Sequence, residues 1–476
     1  MKKEYRAHPL MVLGIVKPYL LIFILPAVKA VLKHFKIGGI DDVLGIEITI
    51  FAIITLIAII HCLCFRLTVD ENEIIVRTGF ILRRKSQIKI SRLSSIQVQQ
   101  NPFDAIFSAV TYRINTEAGS RRKSDFKFKL SLRNSKSIYN QIYKESPESR
   151  VHFSPVKVAA MAAMTSSAFM GMVIGVPVIY RTGDLLGVAL NEMLLDEINN
   201  VSNRFQTIFP PIVNTISLVF LLAYAVSFVY TFTKYVNFKL YLSERSLEVK
   251  NGIFIRTSTV FKKSDVNNVK IEQTPLMLLF KRFAMKVSVG GFGERKAVSQ
   301  IVVPSGKWEE IEREFYKYFP FLAPQSKNLR SARTAENRAR FLFWPTIYLA
   351  VIFLISLVLA LKFTDFGKLI LFLTLVSMAV VFYHAYTCMY EFNHGKIGFS
   401  DNVYARGTKG FNTCSLYCPK ENIGQIKITQ FWLDFAKNTC RVRITVSSEK
   451  ADSMRVRLLD YEETKNEIRK NFNVPV

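Results

Sequence analysis

Residues 65–107, FRLTVDENEIIVRTGFILRRKSQIKISRLSSIQVQQNPFDAIF, return 173 positions later as residues 238–280, FKLYLSERSLEVKNGIFIRTSTVFKKSDVNNVKIEQTPLMLLF. The two stretches align without a gap and share eleven residues, among them Gly79 with Gly252, Arg83 with Arg256, Gln100 with Gln273 and Pro102 with Pro275. A further shift of 157 brings in a more divergent third copy. There Phe399-Ser400-Asp401 answers Leu242-Ser243-Glu244, Ile426 answers Val269 and Gln430 answers Gln273. Self-similarity at a long fixed spacing marks repeated structural units.

Each copy reads as short strands. Ile74-Ile75-Val76 runs into Arg77-Thr78-Gly79-Phe80, where glycine suits the positive φ of a hairpin turn. Ile88, Ile90, Ile96 and Val98 alternate with polar residues as half-buried strands do, and Pro102 ends that run. An amphipathic helix closes each copy, carrying Ile138, Tyr139 and Ile142 in the first, Trp308, Ile311, Phe315 and Phe319 in the second, and Tyr461, Ile468 and Phe472 in the third. Several strands and one helix predict an antiparallel sheet or barrel capped at one end.

The rest of the chain is apolar. Six stretches, near 10–32, 43–64, 156–180, 210–233, 341–361 and 368–387, are long enough for the roughly 20 residues a bilayer crossing takes. They fall into three pairs, and the first, behind Met-Lys-Lys, reads as an uncleaved helix because Lys17 and Lys29 interrupt it and no small-residue cleavage site follows. The formal net charge is +27 and the pI near 9.8, which alone would suggest nucleic acid. The mean hydropathy of +0.20 means instead that basic and apolar residues are segregated. Residues 65–150 hold 17 basic against 8 acidic residues, 235–340 hold 20 against 10, and 387–476 hold 14 against 10, while the loop 181–209 is net negative. Lys and Arg flanking spans stay cytoplasmic, so the three polar segments and both termini are expected on the cytoplasmic side of a multi-pass cell-membrane protein.

The strands with a turn glycine, the Q-x-P-[FL] step at Gln100-Asn101-Pro102-Phe103 and Gln273-Thr274-Pro275-Leu276, and the closing helix behind a pair of spans resemble the bacterial pleckstrin-homology-like membrane proteins of the YdbS/YdbT type. With three repeated units the chain looks like a YdbT-like member. The third copy departs from the pattern, with Trp432 in place of the proline. The resemblance implies a membrane α + β architecture: six transmembrane helices in three pairs, each pair followed by a cytoplasmic seven-stranded PH-like β-barrel or sandwich with a C-terminal helix. The expected division is 1–64 (N-terminus and pair 1), 65–150, 151–234 (pair 2 with an outer amphipathic loop), 235–340 (with a basic linker), 341–387 (pair 3) and 388–476. The resemblance further implies no enzymatic activity and a link to envelope stress or tolerance of antimicrobial peptides.

No Walker loop, G-x-S-x-G, H-E-x-x-H or paired C-x-x-C occurs, so no catalytic residue or cofactor is expected. Gly290-Gly291-Phe292-Gly293 reads as a hairpin loop rather than a phosphate cradle. Cys414, Cys418 and Cys440 with His394 match no zinc module, and ordinary reduced thiols are favoured over a metal site. Arg83, Arg84, Lys85, Arg256, Lys262, Lys263, Arg330 and Arg333 are the candidates to face an anionic inner leaflet or a partner, where orienting the tethered segments outweighs a specific headgroup site. Lys29 and Glu47 are expected to pair at the outer boundary of the first hairpin. Ser167, Gly171 and Gly175 are spaced for close helix packing, within the bundle before a homodimer seam. Leu185 to Leu194 predict an amphipathic helix in the outer loop. The expected function is a noncatalytic membrane-surface scaffold working with the lipid bilayer and with a smaller PH-like membrane relative or a second copy, and with no nucleic acid. The rival is a transporter or exporter of lipids or amphipathic peptides.

Overall fold

The computed structural model describes residues 3–17, 19, 42–70, 72–80, 82–116, 126–142, 147–168, 171–172, 190–204, 211–289, 300–324, 328–446 and 452–472. Its strands come in three successive sets. The first is β1 (Lys3–Arg6), helix α1 (Asp42–Cys64), β2 (Arg66–Val69), β3 (Glu73–Thr78), β4 (Arg84–Lys89), β5 (Leu93–Gln100), helix α2 (Pro102–Ile106), β6 (Ala109–Thr116), β7 (Phe126–Ser131) and helix α3 (Leu132–Ile142). The second is β8 (Ser149–His152), helices α4 (Pro155–Thr165), α5 (Leu190–Arg204) and α6 (Pro211–Tyr235), β9 (Lys239–Leu242), β10 (Ser246–Asn251), β11 (Arg256–Lys262), β12 (Val266–Gln273), α7 (Pro275–Leu279), β13 (Phe283–Val289), β14 (Gln300–Gly306) and α8 (Trp308–Tyr318). The third is β15 (Asn328–Arg330), α9 (Ala335–Lys362), α10 (Gly367–His394), β16 (Lys396–Gly398), β17 (Asn402–Lys409), β18 (Asn412–Pro419), β19 (Ile423–Thr429), α11 (Trp432–Phe435), β20 (Thr439–Val446), β21 (Asp452–Asp460) and α12 (Tyr461–Phe472).

Each set thus opens with a strand that lies ahead of its apolar helices. β1 pairs with β2 and β15 with β16, all antiparallel, and β8 neighbours β9. The expected boundaries at 65, 235 and 388 fall after these strands, because a three- or four-residue strand carries too little alternation to stand out from a helix flank.

The chain divides into two compact units, one comprising residues 1–151 and 239–265, the other 152–238, 266–289 and 298–476. In the first unit, the sheet β1-β2-β3-β4 stands beside a seven-stranded sheet ordered β7-β6-β5-β11-β10-β9-β8. Phe65, Leu67, Val76, Ile96, Tyr112 and Leu130 are buried in a core that joins β2 and β3 to β5–β7, and Ile138 of α3 closes it. Burying each such side chain contributes about 1.5–3 kcal/mol. In the second unit, a sheet ordered β14-β13-β12-β18-β17-β16-β15 accompanies the sheet β19-β20-β21. Its core joins Ile397, Val403 and Leu416 to Val442, Ile444 and Ile468. The first and third sets therefore each form four strands over three with a closing helix, the sandwich that the resemblance implies.

The repeated residues have repeated jobs. Gly79, Gly252 and Gly410 all sit at positive φ, at 94°, 93° and 63°. A β-carbon on Gly79 would lie 2.1 Å from the Leu82 carbonyl oxygen. The Q-x-P glutamines tie the end of one strand to the start of the next. Gln100 Nε2 donates to the Ala109 carbonyl at 3.2 Å, Gln273 to Arg282 at 3.0 Å and Gln430 to Thr439 at 3.1 Å. Just ahead of each accepting strand, Ser108, Lys281 and Asn438 hold positive φ of 50°, 52° and 50°. Pro102 and Pro275 occupy the first helical position, which needs no N–H donor, and Trp432 opens α11 at the matching place.

Three helices are long and apolar enough to cross a membrane, Thr215–Tyr235, Ala335–Lys362 and Leu369–His394, with shorter apolar helices at Thr49–Cys64 and Pro155–Thr165. The six spans in three pairs are not found among the described residues. The stretch expected to run as one helix over 156–180 stops at Thr165. Ser166 is extended, and the Ser167 N–H donates to Ser227 Oγ at 3.2 Å instead of continuing the helical ladder. The outer-loop helix is α5, Leu190–Arg204, starting later than the Leu185–Leu194 pattern suggests; residues 185–189 lie outside the described residues.

Candidate functional site

The strongest concentration of chemistry lies in the third set, where β20 and β21 each carry Arg-Val-Arg. Strand alternation sends Val442 and Val456 into the core and leaves Arg441, Arg443 and Arg455 exposed. Arg443 stands directly opposite Arg455 in the ladder, and Lys427 of β19 opposite Arg443. Like charges so paired repel. Burial, and then the charges of Arg443, Arg441 and Arg457, push the Arg455 guanidinium below its ordinary pKa, with Glu391 opposing. Among the described residues, Arg441, Arg443 and Arg455 have no carboxylate partner within ion-pair distance.

Arg457, the fourth, is paid off internally. Its Nε lies 3.1 and 3.0 Å from the two Glu391 carboxylate oxygens and its Nη2 2.6 Å from Oε2, the fork geometry that carboxylates favour. Thr408 Oγ1 donates to the same carboxylate at 2.9 Å. Glu391 is 3% exposed, and the Arg457 guanidinium also lies 4.8 Å over the Phe341 ring. Burial disfavours its charge, but Glu391 outweighs burial and raises its pKa. Arg340 of α9 pairs with Asp434 of α11 and donates to Thr439 Oγ1 at 3.2 Å.

Arg340, Arg441 and Arg457, with the carboxylates Glu336 and Asp434 and the rings of Phe343, Trp344 and Phe431, line a groove of about 440 Å3, and Arg443 and Arg455 continue the arginine face outside it. Phe343, Trp344 and Phe431 are more than half exposed, and two of them lie in the opening turns of an apolar helix. Aromatic rings and guanidinium groups at the polar end of a spanning helix suit the headgroup layer, and arginine suits phosphate oxygens.

The residues expected from sequence are spread over separate elements. Arg84 and Lys85 lie exposed on β4 and Arg83 just before it. Arg256 starts β11 opposite Gln100. Lys262 donates to the Ser91 carbonyl and Lys263 to the Glu244 carbonyl at 2.9 Å, so both staple backbone. Arg330 is exposed on β15, and Arg333 donates to the Asn393 carbonyl at 2.8 Å. Gly171 packs on Ala223 of α6, whose carbonyl oxygen a β-carbon would meet at 1.4 Å, and Ser167 contacts Ser227 of the same helix. Ser167 and Gly171 thus both touch α6 of the same chain; Gly175 lies outside the described residues. The Lys29–Glu47 pair cannot be followed, since Lys29 and the Glu47 side chain lie outside them too, as does the Gly290–Gly293 run. Cys414, Cys418 and Cys440 are buried in the third core, and burial pushes their thiols up to about 12, 12 and 11. His394 stacks on Tyr390 at 4.5 Å, and no metal-holding group of three occurs among the described residues. The arginine face was missed because its facing members, Arg443 and Arg455, are 12 residues apart on different strands. The duplicated Arg-Val-Arg was the available cue.

Four strands over three, closed by a helix and repeated with the same turn glycine, define a pleckstrin-homology-like fold. The chain belongs to the bacterial PH domain family, whose model matches residues 20–146 and 191–318, more than half of the chain. Comparison with curated proteins and with solved structures finds no match.

Proposed function

We propose that this protein is a noncatalytic, multi-pass platform of the cell membrane, built as three PH-like units of the YdbT-like kind, that engages the anionic inner leaflet through its third unit. The observation that carries this reading is the arginine face of β20 and β21, which at Arg441 and Arg457 borders a groove rimmed by Phe343 and Trp344 of α9 and by Phe431 ahead of α11. An anionic headgroup there relieves the repulsion between Arg443 and Arg455, and each basic residue near such a surface contributes about 1 kcal/mol. Cytoplasmic termini and even-numbered crossings are supported by the pairing of β1 with β2 and of β15 with β16, which brings both ends of a helical insert to one sheet. A role in envelope stress fits a platform with no catalytic group, and the partners are the bilayer and another PH-like chain.

The test is lipid retention. Full-length protein in mixed detergent micelles containing phosphatidylglycerol or phosphatidylcholine is analysed by native mass spectrometry. The expected result is preferential retention of phosphatidylglycerol, lost in an Arg441→Ala, Arg443→Ala, Arg455→Ala variant. Equal retention of both lipids, or no effect of the triple variant, overturns the reading.

A further inference from the structure

The PH-like sets are joined through their sheet edges in one fixed register. Ile96 pairs with Val260, Val98 with Ser258 and Gln100 with Arg256, joining β5 to β11. Val269 pairs with Tyr417, Ile271 with Ser415 and Gln273 with Thr413, joining β12 to β18. Shifting the first list by 173 on β5 and by 157 on β11 gives the second list. β19 is the third member of the β5, β12 series, with Ile426, Ile428 and Gln430 at the matching positions, and it is an outer strand of its sheet.

A groove of about 380 Å3 opens along that edge, lined by Ile423, Ile426, Ile428, Ile468 and Phe472. Its filled counterpart is visible in the same unit. Tyr417 of β18 packs its ring 4.4 Å from Phe315, the eighth residue of α8, and Ile468 is the eighth residue of α12. The groove is the slot that Tyr417 fills one set earlier.

Native proteins protect outer strands with charge, and the outer strands β4 and β19 differ in that respect. β4, the first member of the β11, β18 series, exposes Arg84, Lys85 and Lys89. β19 carries one charge, Lys427, among three isoleucines. If β4 of a second copy docked in the shared register, it would set Lys85 against Ile428, Gln87 against Ile426, and Arg84 against Thr429, whose other neighbour is Arg441. The two internal couplings instead place serine at the first of these positions, Val260 or Tyr417 at the second, and Thr257 or Cys414 at the third.

We infer that the β19 edge accepts, antiparallel and in this register, the outer strand of a PH-like sheet from a different polypeptide, one uncharged there, with serine opposite Ile428 and a β-branched or aromatic residue opposite Ile426. This deepens the platform reading and rests on it, naming the surface by which a partner is held. Main-chain hydrogen bonds supply affinity and the alternate side-chain slots supply selectivity.

The experiment makes β4 of this chain resemble the inferred partner strand. All variants are full-length, reconstituted in lipid, and carry Cys64→Ser to remove the half-buried thiol. The first has Lys85→Cys and Ile428→Cys with β4 otherwise natural. The second adds Arg84→Thr, Ser86→Thr and Gln87→Val, so that β4 presents the residues of β11; Arg84 and Gln87 are exposed and Ser86 half-buried, so the fold is not at risk. The third is the second with the cysteine at Ile426 instead of Ile428, two residues out of register. Oxidation is expected to link the second variant between copies at least ten-fold more than the first or the third. Linking no greater than in the third overturns the acceptor edge. Linking of the first variant equal to the second overturns the occupant, making it a second copy of this chain. Neither result bears on lipid retention, so the two readings fail separately.

Discussion

The first and third PH-like sets share one strand plan, yet they complete it with different chemistry. The first closes its core with rings, Tyr112 stacked on Phe128 at 5.8 Å and its hydroxyl held by Ser135 at 2.9 Å. Its buried carboxylate, Asp104, is matched by the flexible Lys129. The third places three thiols in its core and ties its sheet to the long apolar helix α10 through Glu391 and Arg457. The difference teaches that strand alternation and turn glycines specify the fold, while the anchoring of a set to its helices is separate chemistry on the same plan.

Removing that anchor should have the largest effect. Glu391→Ala leaves the half-buried Arg457 without its carboxylate beside three other arginines, a change that costs up to about 3–5 kcal/mol. Asp104→Ala should cost the first set less, because the lysine it releases can extend to solvent. Denaturant unfolding followed by peptide-resolved hydrogen exchange separates the two sets. Equal losses in both would show that the Glu391 pair is not a special anchor.

The turn glycines sharpen the contrast in the other direction. Gly79→Ala meets both a φ of 94° and the Leu82 carbonyl oxygen, whereas Gly410, at 63°, meets nothing within 4 Å. The first substitution should cost about 1–3 kcal/mol and the second about 1 kcal/mol. A smaller effect follows from the glutamines. Gln100→Ala and Gln430→Ala should each cost about 1 kcal/mol, and Gln273→Ala more, since its Oε1 also accepts a buried hydrogen bond from Thr413 across the β12–β18 join, at 3.0 Å. Thermal unfolding midpoints of the three variants check that order.

The last contrast is in alkali. Burial pushes Cys414 and Cys418 up to about 12 and Cys440 to about 11 from an ordinary value of 9.0, so the folded chain binds these protons more tightly than the unfolded chain. The stabilisation is complete below about pH 9 and is lost as pH rises through about 11 to 12. In the first set's sheet core, which holds no thiol, burial likewise raises Tyr112 to about 12, from 10.0, so β6 should begin to weaken about one pH unit later. Exchange protection of β20 and β6 followed from pH 8 to 11 reports both onsets, and simultaneous onsets would break the contrast.

Much of this architecture was legible in the sequence. The repeat, the turn glycines and the Q-x-P step fall where the strands and short helices are, because each encodes a local backbone requirement. What escaped detection was non-local. β1, β8 and β15 are too short to alternate visibly, and their pairing depends on a partner beyond a helical insert. The Arg443–Arg455 juxtaposition depends on the register of a hairpin, and nothing local joins Glu391 to Arg457, which lies 66 residues further on. The joining of β5 to β11 and of β12 to β18 was hidden for the same reason, since identical residues in a repeat say nothing of which edges meet.

That joining is the centre of the account, and amide hydrogen exchange of the full chain in lipid nanodiscs tests it most directly. Residues 96–100 and 269–273 lie on edges covered by β11 and β18, while 426–430 lie on or just beyond the outer strand β19. The expected result is exchange at 426–430 at least ten-fold faster than at the other two. Equal protection of all three segments, or rapid exchange at 96–100 and 269–273, would contradict the continuous sheets.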